Sequence, residues 1–212
     1  MSFDRLARWY RLTEYLAFGR DLERARFEFL GRLAGCSDIL LLGEGDGRCA
    51  ERVAALAPAA RITCVDSSPG MIELARRRIS GAGAQGRVAF ECTDILAFDA
   101  GGRTFDAVAT LFFLDCFTPR EAALVVSRVG ASARPGAVWL FSDFAMPEGG
   151  LARVRARIWL GFLYGFFRWE TGLAVSSLPP SEEILALAGW RRTASRDRQR
   201  GLLRSVVFER TP

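Results

Sequence analysis

The sequence predicts an α/β chain built on one doubly wound, mostly parallel, seven-stranded sheet, with helices at its N-terminal end and an aromatic insertion ahead of its last helix. Three observations carry this. Short apolar runs alternate with stretches of helical periodicity from residue 38 to residue 141, which implies right-handed crossovers in a sheet covered on both faces. The first run, Ile39–Leu42, ends in glycines at alternate positions, Gly43, Gly45 and Gly47, as a buried strand feeding a helix N-terminus does. The chain ends on two strand-like segments separated by a polar loop, a closing pair.

Each element has a local cause. Residues 1–35 read as an amphipathic helical cap, with Phe3, Leu6 and Tyr10 at helical spacing and Phe27, Leu30 and Leu33 recurring every third residue. Asp38–Leu42 is the first strand, and Gly47–Leu56 is a helix stopped by Pro58. Arg61–Val65 is the second strand. Ser68 and Pro69 then supply an N-cap and a first-turn proline for a helix over Pro69–Ser80, ended by Gly81. Val88–Cys92 and Phe105–Leu111 are the third and fourth strands. Thr118-Pro119-Arg120-Glu121 is a capping box opening a helix to Val129. Arg134-Pro135-Gly136 turns the chain into a fifth strand, Ala137–Phe141. An insertion fills 144–180, Ser181–Ala188 is a short helix, and Arg191–Arg196 and Leu202–Glu209 close the sheet. The whole reads as one domain, with 36–143 as its core and 181–212 as the closing helix and strand pair.

Composition removes several chemistries. The 212 residues contain no His and no Lys, so all 29 basic side chains are Arg. No imidazole base, Ser-His-Asp triad or His-ligated metal is available, nor a phosphate-binding or Schiff-base lysine. Five cysteines, an odd number without a paired spacing, point to reduced thiols in a cytoplasmic protein rather than to disulfides or a metal site. No signal peptide is read at the N-terminus, and the longest apolar stretch, near Ile158–Phe167, is too short to span a bilayer. The net charge of +5 is spread along the chain instead of forming one basic run, the pattern of a solvated surface.

The glycine turn points to a nucleoside-containing cofactor. Glycine lets backbone approach a ligand closely, and Asp66, at the end of the next apolar run, is placed to accept from the two hydroxyls of a ribose. Dinucleotide sites use G-x-G-x-x-G; here the third glycine comes one position early and Arg48 stands where the other pattern has Gly. In an open sheet of this kind, ligands sit beyond the carboxyl ends of the strands. Gly43–Gly47, Asp66, Asp94 and Phe112–Phe117 all follow strand ends.

With these residues in place, the chain resembles the class I S-adenosylmethionine-dependent methyltransferases over residues 36–143 and again over 181–210. The resemblance implies a Rossmann-like methyltransferase fold, S-adenosylmethionine as cofactor and methyl transfer as the activity. Gly43, Glu44, Gly45, Asp46 and Gly47 match the loop that wraps the methionine part of the cofactor, and Asp66 and Ser67 match the ribose end. Met71 falls where an apolar residue packs on the adenine, and Asp94 with Ile95 where the adenine amino group is met. Leu111, and Tyr10 on the N-terminal cap, complete the cofactor set. One departure stands out: the family commonly carries an acid two residues before the first glycine, and this chain has Leu41.

For the acceptor, the insertion at 144–180 suggests an aromatic lid over a small lipophilic or aromatic molecule, with Phe112, Asp143, Trp159, Tyr164 and Arg168 as its contacts. Packing on the sheet, a homodimer contact and peripheral membrane contact are the competing assignments for the same segment. If a base is needed for in-line displacement, Asp115 is the first candidate. No nucleic-acid partner is expected, because no N-P-P-Y-type acceptor motif follows the fourth strand. A non-catalytic cofactor-binding scaffold and a nicotinamide-dependent oxidoreductase remain the alternative functions.

Overall fold

A computed structural model describes residues 20–147, 149–151, 153–159, 161 and 178–211. Five parallel strands and one antiparallel pair form a single sheet: β1 (Asp38–Leu42), β2 (Arg61–Asp66), β3 (Val88–Cys92), β4 (Phe105–Leu111), β5 (Ala133–Phe144), β6 (Trp190–Arg198) and β7 (Leu203–Arg210). Their order is β3-β2-β1-β4-β5-β7-β6, with β7 antiparallel to both β5 and β6. The strand order reverses between β1 and β4, which is where a ligand-binding crevice opens in such sheets.

The helices α1 (Asp21–Phe27), α2 (Arg48–Leu56), α3 (Pro69–Gly81), α4 (Pro119–Ala131) and α5 (Ser181–Leu187) cover both faces. The period of two along β1 decides which face gets what. Ile39 and Leu41 pack with Val53 of α2 and Ile79 of α3, whereas Leu40 and Leu42 pack with Val125 and Val129 of α4 and Leu185 of α5. A one-residue slip of β1 would exchange the two sets, so the register is fixed by the core. Leu41, the departure from the family's pattern, is therefore a core residue.

Local signals act as the sequence suggests. Ser68 caps α3 by accepting from the Met71 N–H at 3.3 Å, and Thr118 and Glu121 form a reciprocal capping box at the start of α4. The fifth strand needs correction. It begins at Ala133 and ends at Phe144, so the Arg134-Pro135-Gly136 segment is an irregularity inside β5 and not a turn ahead of it. Pro135 has no N–H to donate and Gly136 adopts φ +75°, so the chain bulges there while Phe105–Ala133 and Ala107–Val138 pair on either side. The strand's longer reach also places Asp143 within β5.

Only the C-terminal part of the 1–35 cap lies among the described residues, as α1 and a 3-10 turn at Leu30–Leu33. The sheet holds α1 by polar contacts. The hydroxyls of Ser142 and Ser205 both donate to the Ala25 carbonyl, at 3.0 and 2.7 Å. Glu28 accepts from Arg196 and Arg198 on β6 at 3.3 and 2.5 Å, which keeps its carboxyl below the ordinary range. Leu22 and Ala25 bury against Leu202, Leu203 and Ala156.

Candidate active site

The glycine loop is shaped by positive φ at all three glycines: +63° at Gly43, +68° at Gly45 and +86° at Gly47. Two of them also lack room for a side chain. A Cβ on Gly47 would stand 2.7 Å from the Cα of Ala75 in α3, and one on Gly43 would overlap the Phe113 ring. Gly45 differs: nothing lies within 4 Å of the Cβ position, so its backbone borders open space. Asp66 ties this loop to the next one. Its two carboxylate oxygens accept from the N–H groups of Gly45 and Ser68, each at 2.9 Å. Each oxygen keeps a second lone pair, so the carboxylate is oriented yet retains capacity for a ligand's hydroxyls.

Further along this rim, Met71 is half-buried on the first turn of α3 and Ser67 is exposed. Asp94 is exposed and accepts from the Leu96 N–H at 2.9 Å, capping the turn Ile95–Ala97. Ile95 turns inward and packs with Leu40, Leu42 and Val65, so it supports the rim from beneath.

Glu44 and Asp46 point to different partners. Glu44 accepts from the Ala50 N–H at 2.9 Å, over the N-terminus of α2. Burial pushes its carboxyl up to about 8, against the pull of that N–H and of Arg26. Asp46 accepts from Arg48 at 3.1 Å and lies 3.7 Å from an Arg78 nitrogen. Its partners on this flank are arginines of α2 and α3.

The end of β4 supplies the other half of the site. Leu111 is half-buried there. Phe112 adopts φ +59°, a conformation costly for a residue with a side chain, and donates its N–H to the Ser142 carbonyl at 2.6 Å. Its ring meets Phe144 edge-on at 5.3 Å, and the Arg26 guanidinium lies 5.6 Å from its centroid. The next turn carries Asp115, whose N–H donates to Asp143 at 3.0 Å. Asp143 also accepts from the Phe144 N–H at 3.0 Å and is only 2% exposed. Burial raises both carboxyls, Asp115 to about 6 and Asp143 well above its ordinary value; the Asp115 charge adds to the rise at Asp143, whereas Asp143 draws Asp115 down. Desolvation and these two acids also push the Cys116 thiol up, so it stays protonated.

These two acids border a cleft of about 300 Å³ walled by Phe141, Phe144, Met146 and Leu178–Pro180, with Glu182, Glu183 and Arg204 on the far side. That size suits a small molecule. Arg204 is committed to Glu182 at 3.1 Å and Asp197 at 2.8 Å.

The fold thus gathers Gly43–Gly47, Asp66, Met71, Asp94, Phe112, Asp115 and Asp143 along the carboxyl edge of the sheet. Trp159 lies in the helical stretch 153–159, outside the set of residues that wall the cleft. Tyr10, Tyr164 and Arg168 lie outside the described residues. Two contributors escaped sequence reasoning: Arg26 and Glu182 come from helices without any motif, and only the folded chain brings them to the rim. Phe113 belongs to the Phe112–Phe117 run already placed at a strand end, and the fold sets its ring against Gly43. Among the described residues no group of side chains is arranged to hold a metal ion.

Comparisons with known proteins bear on the family and the fold. A family model described as a methyltransferase domain matches residues 39–136. The ubiquinone/menaquinone biosynthesis C-methyltransferase UbiE of Geobacter sulfurreducens is 27% identical, over 94% of this chain and 91% of its own length. A demethylmenaquinone methyltransferase of Thermus thermophilus is 32% identical, over 83% of this chain and 80% of its own. Among solved structures, an O-methyltransferase family protein from Burkholderia thailandensis matches with a TM-score of 0.68 at 21% identity, over 90% of this chain but only 55% of that one. The N-methyltransferase NodS of Bradyrhizobium japonicum, in complex with S-adenosyl-L-homocysteine, matches with a TM-score of 0.63 at 19% identity, over 90% and 88%. At those identities the solved structures speak for the fold alone. Together with the sequence relatives, they show that the chain belongs to the class I S-adenosylmethionine-dependent methyltransferases.

Proposed function

We propose that this methyltransferase acts on a small lipophilic or aromatic acceptor seated in the cleft beside Asp115. The observation that carries the reading is the meeting of the glycine loop, the oriented Asp66 carboxylate and the Asp115–Asp143 cleft at one edge of the sheet. The residues present fit the cofactor: Gly45 borders open space, and Asp66 keeps lone pairs for ribose hydroxyls. Gly43–Gly47 would hold its methionine part, Asp66 its ribose and Met71 with Asp94 its adenine. When bound there, S-adenosylmethionine supplies an electrophilic methyl group for displacement in line with its carbon–sulfur bond.

The protein's own contribution is alignment and exclusion of water, which accounts for much of the acceleration in such transfers. Phe141, Phe144, Met146 and the Leu178–Pro180 segment give the cleft an apolar wall, and two of the relatives are methyltransferases of quinone biosynthesis. Both support a lipophilic or aromatic acceptor. The described ends of the 144–180 insertion, Phe144–Met146 and Leu178–Pro180, line the cleft and so favour an apolar acceptor there. Asp115 is the group placed to take a proton from the acceptor.

Calorimetry with S-adenosyl-L-homocysteine and with NADH tests the cofactor assignment: only the first is expected to bind. Methyl-labelled S-adenosylmethionine, offered with a reduced naphthoquinone or with a tricarboxylate, tests the acceptor class. Label should enter the quinol and not the tricarboxylate. Transfer to the tricarboxylate alone would overturn the lipophilic assignment.

A further inference from the structure

We infer that Asp115 and Asp143 work as one acid–base unit, in which Asp143 is a positioning residue that keeps the pair's proton and leaves Asp115 as its charged member. The inference deepens the proposed reading of the cleft and rests on it.

Geometry comes first. Asp143 sits in the middle layer of the sheet at the end of β5, almost fully buried, and its two oxygens accept from the N–H groups of Asp115 and Phe144. The first of these bonds fixes the turn that carries Asp115, so the direction of the Asp115 carboxyl depends on Asp143. The same bond brings the two acids together at the inner end of the cleft, which both line. Asp143 is almost fully buried and Asp115 half-buried, and two neighbouring carboxyls so poorly hydrated resist ionising together. One proton therefore stays between them.

The surroundings decide where it stays. The Cys116 thiol on the same turn donates to Asp115 at 3.6 Å, and the charge of Arg26 on α1, seated over Phe112, also acts on it. Both favour its charged form. Across the cleft stand Glu182 and Glu183 of α5 and Arg204 of β7, while Asp66 and Glu44 lie on the cofactor side. Asp143 is the more deeply buried of the two, 2% exposed against a half-buried Asp115, and the Asp115 charge presses its proton on. The asymmetry puts the charge on Asp115, at the cleft, and the proton on Asp143, in the sheet.

A consequence for the reaction follows. As the acceptor's O–H, N–H or C–H bond breaks, its proton passes to the Asp115 carboxylate. The electron pair left behind forms the new bond to the methyl carbon, and the carbon–sulfur pair leaves on sulfur. Asp143 keeps its own proton throughout and stabilises Asp115 before the transfer by donating to it.

Carbon-13 NMR of protein labelled at the aspartate carboxyl carbons, titrated from pH 4 to 9, tests the unit without any acceptor. D115N and D143N assign the two signals. In the wild type, Asp115 is expected to titrate near 6, and Asp143 well above the ordinary carboxylate range. R26Q leaves the pair in place and should raise the Asp115 midpoint by about one unit, as loss of a nearby opposite charge does. If D143N does not fold, the wild-type and R26Q titrations still decide. Two independent titrations in the ordinary carboxylate range, or no response to R26Q, would overturn the unit. A purely structural Asp143 would leave the Asp115 midpoint unmoved in D143N. S-adenosyl-L-homocysteine binding, measured on the same samples, reports on the methyltransferase reading separately, so the two can fail independently.

Discussion

Gly43 and Phe113 are packed so that no side chain fits between them: a Cβ on Gly43 would overlap the Cδ2 and Cε2 atoms of the ring. The contact joins the first turn after β1 to the first turn after β4, the two strands on either side of the crevice. Gly43 also adopts φ +63°, which an L side chain tolerates poorly.

Gly43→Ala therefore carries two costs, overpacking and backbone strain, together on the order of 2–4 kcal/mol. The loop should move away from the cofactor's place, and affinity for S-adenosyl-L-homocysteine should fall at least about tenfold. Adding Phe113→Ala is expected to return part of the stability, since it removes the clash and leaves the φ strain. Urea denaturation and calorimetry on the single and double variants read both effects.

Asp66 holds two loops and has lone pairs to spare. Asp66→Ala removes the anchor of the Gly45 and Ser68 N–H groups as well as the proposed ribose contact. A charge-assisted hydrogen bond is worth about 1.5–3 kcal/mol, so S-adenosyl-L-homocysteine affinity should fall about 10–100-fold. Asp66→Asn keeps one acceptor oxygen and should retain an intermediate affinity. Equal losses in the two variants would mean that the charge, and not the count of acceptors, carries the binding.

Much of this was legible in the chain before any fold was drawn. The alternation of strands and helices, the capping box at Thr118 and the glycine turn are local patterns, written in neighbouring residues. Asp115 and Asp143 each appear as acids near strand ends. That they share one pocket is a matter of β5 lying beside β4, which no spacing reveals. The length of β5 was misjudged for a local reason: Arg134-Pro135-Gly136 has turn chemistry, and only tertiary pairing turns it into a bulge. Arg26 was out of reach altogether. Its importance comes from where the sheet holds α1, and its own neighbours in sequence, Ala25 and Phe27, say nothing of Phe112 or Asp115.

Glu44 gives a pH prediction. Burial raises its carboxyl from the ordinary range to about 8, so the folded state prefers the protonated form. A raised acid contributes stability that is whole below its unfolded value near 4.5 and is lost as pH climbs through 8. Asp115 and Asp143, also raised, act in the same direction. Glu28, Asp38 and Asp197, held low by arginines, act the other way and lose their contribution only below about pH 4. Stability is therefore expected to decline from pH 5 to pH 8. Glu44→Gln keeps an oxygen for the Ala50 N–H and removes the titration. The variant should be more stable than the wild type at pH 8, by on the order of 2 kcal/mol, and equal to it near pH 5. Thermal melts at both pH values check this; parallel losses in the two proteins would show that Glu44 is not the group responsible.

The last prediction concerns how the N-terminal helix reaches the site. Ser142 of β5 and Ser205 of β7 stand directly opposite each other in the sheet, and both hydroxyls donate to the Ala25 carbonyl. A carbonyl oxygen has two lone pairs, so either hydroxyl alone leaves it satisfied. Ser142→Ala or Ser205→Ala should each cost only about 1 kcal/mol. With both removed, the carbonyl keeps just the longer 3.3 Å bond from the Glu28 N–H, and the double variant should lose about 1 kcal/mol more than the sum of the singles. The next residue is Arg26, so loosening Ala25 also frees the guanidinium from its place over Phe112. The Asp115 midpoint should then rise in the double variant and stay near its wild-type value in each single one. A double-mutant cycle in urea, with the carboxyl titration run on the same three proteins, measures both; strict additivity with an unmoved midpoint would mean that the two serines hold α1 no more than its apolar face does.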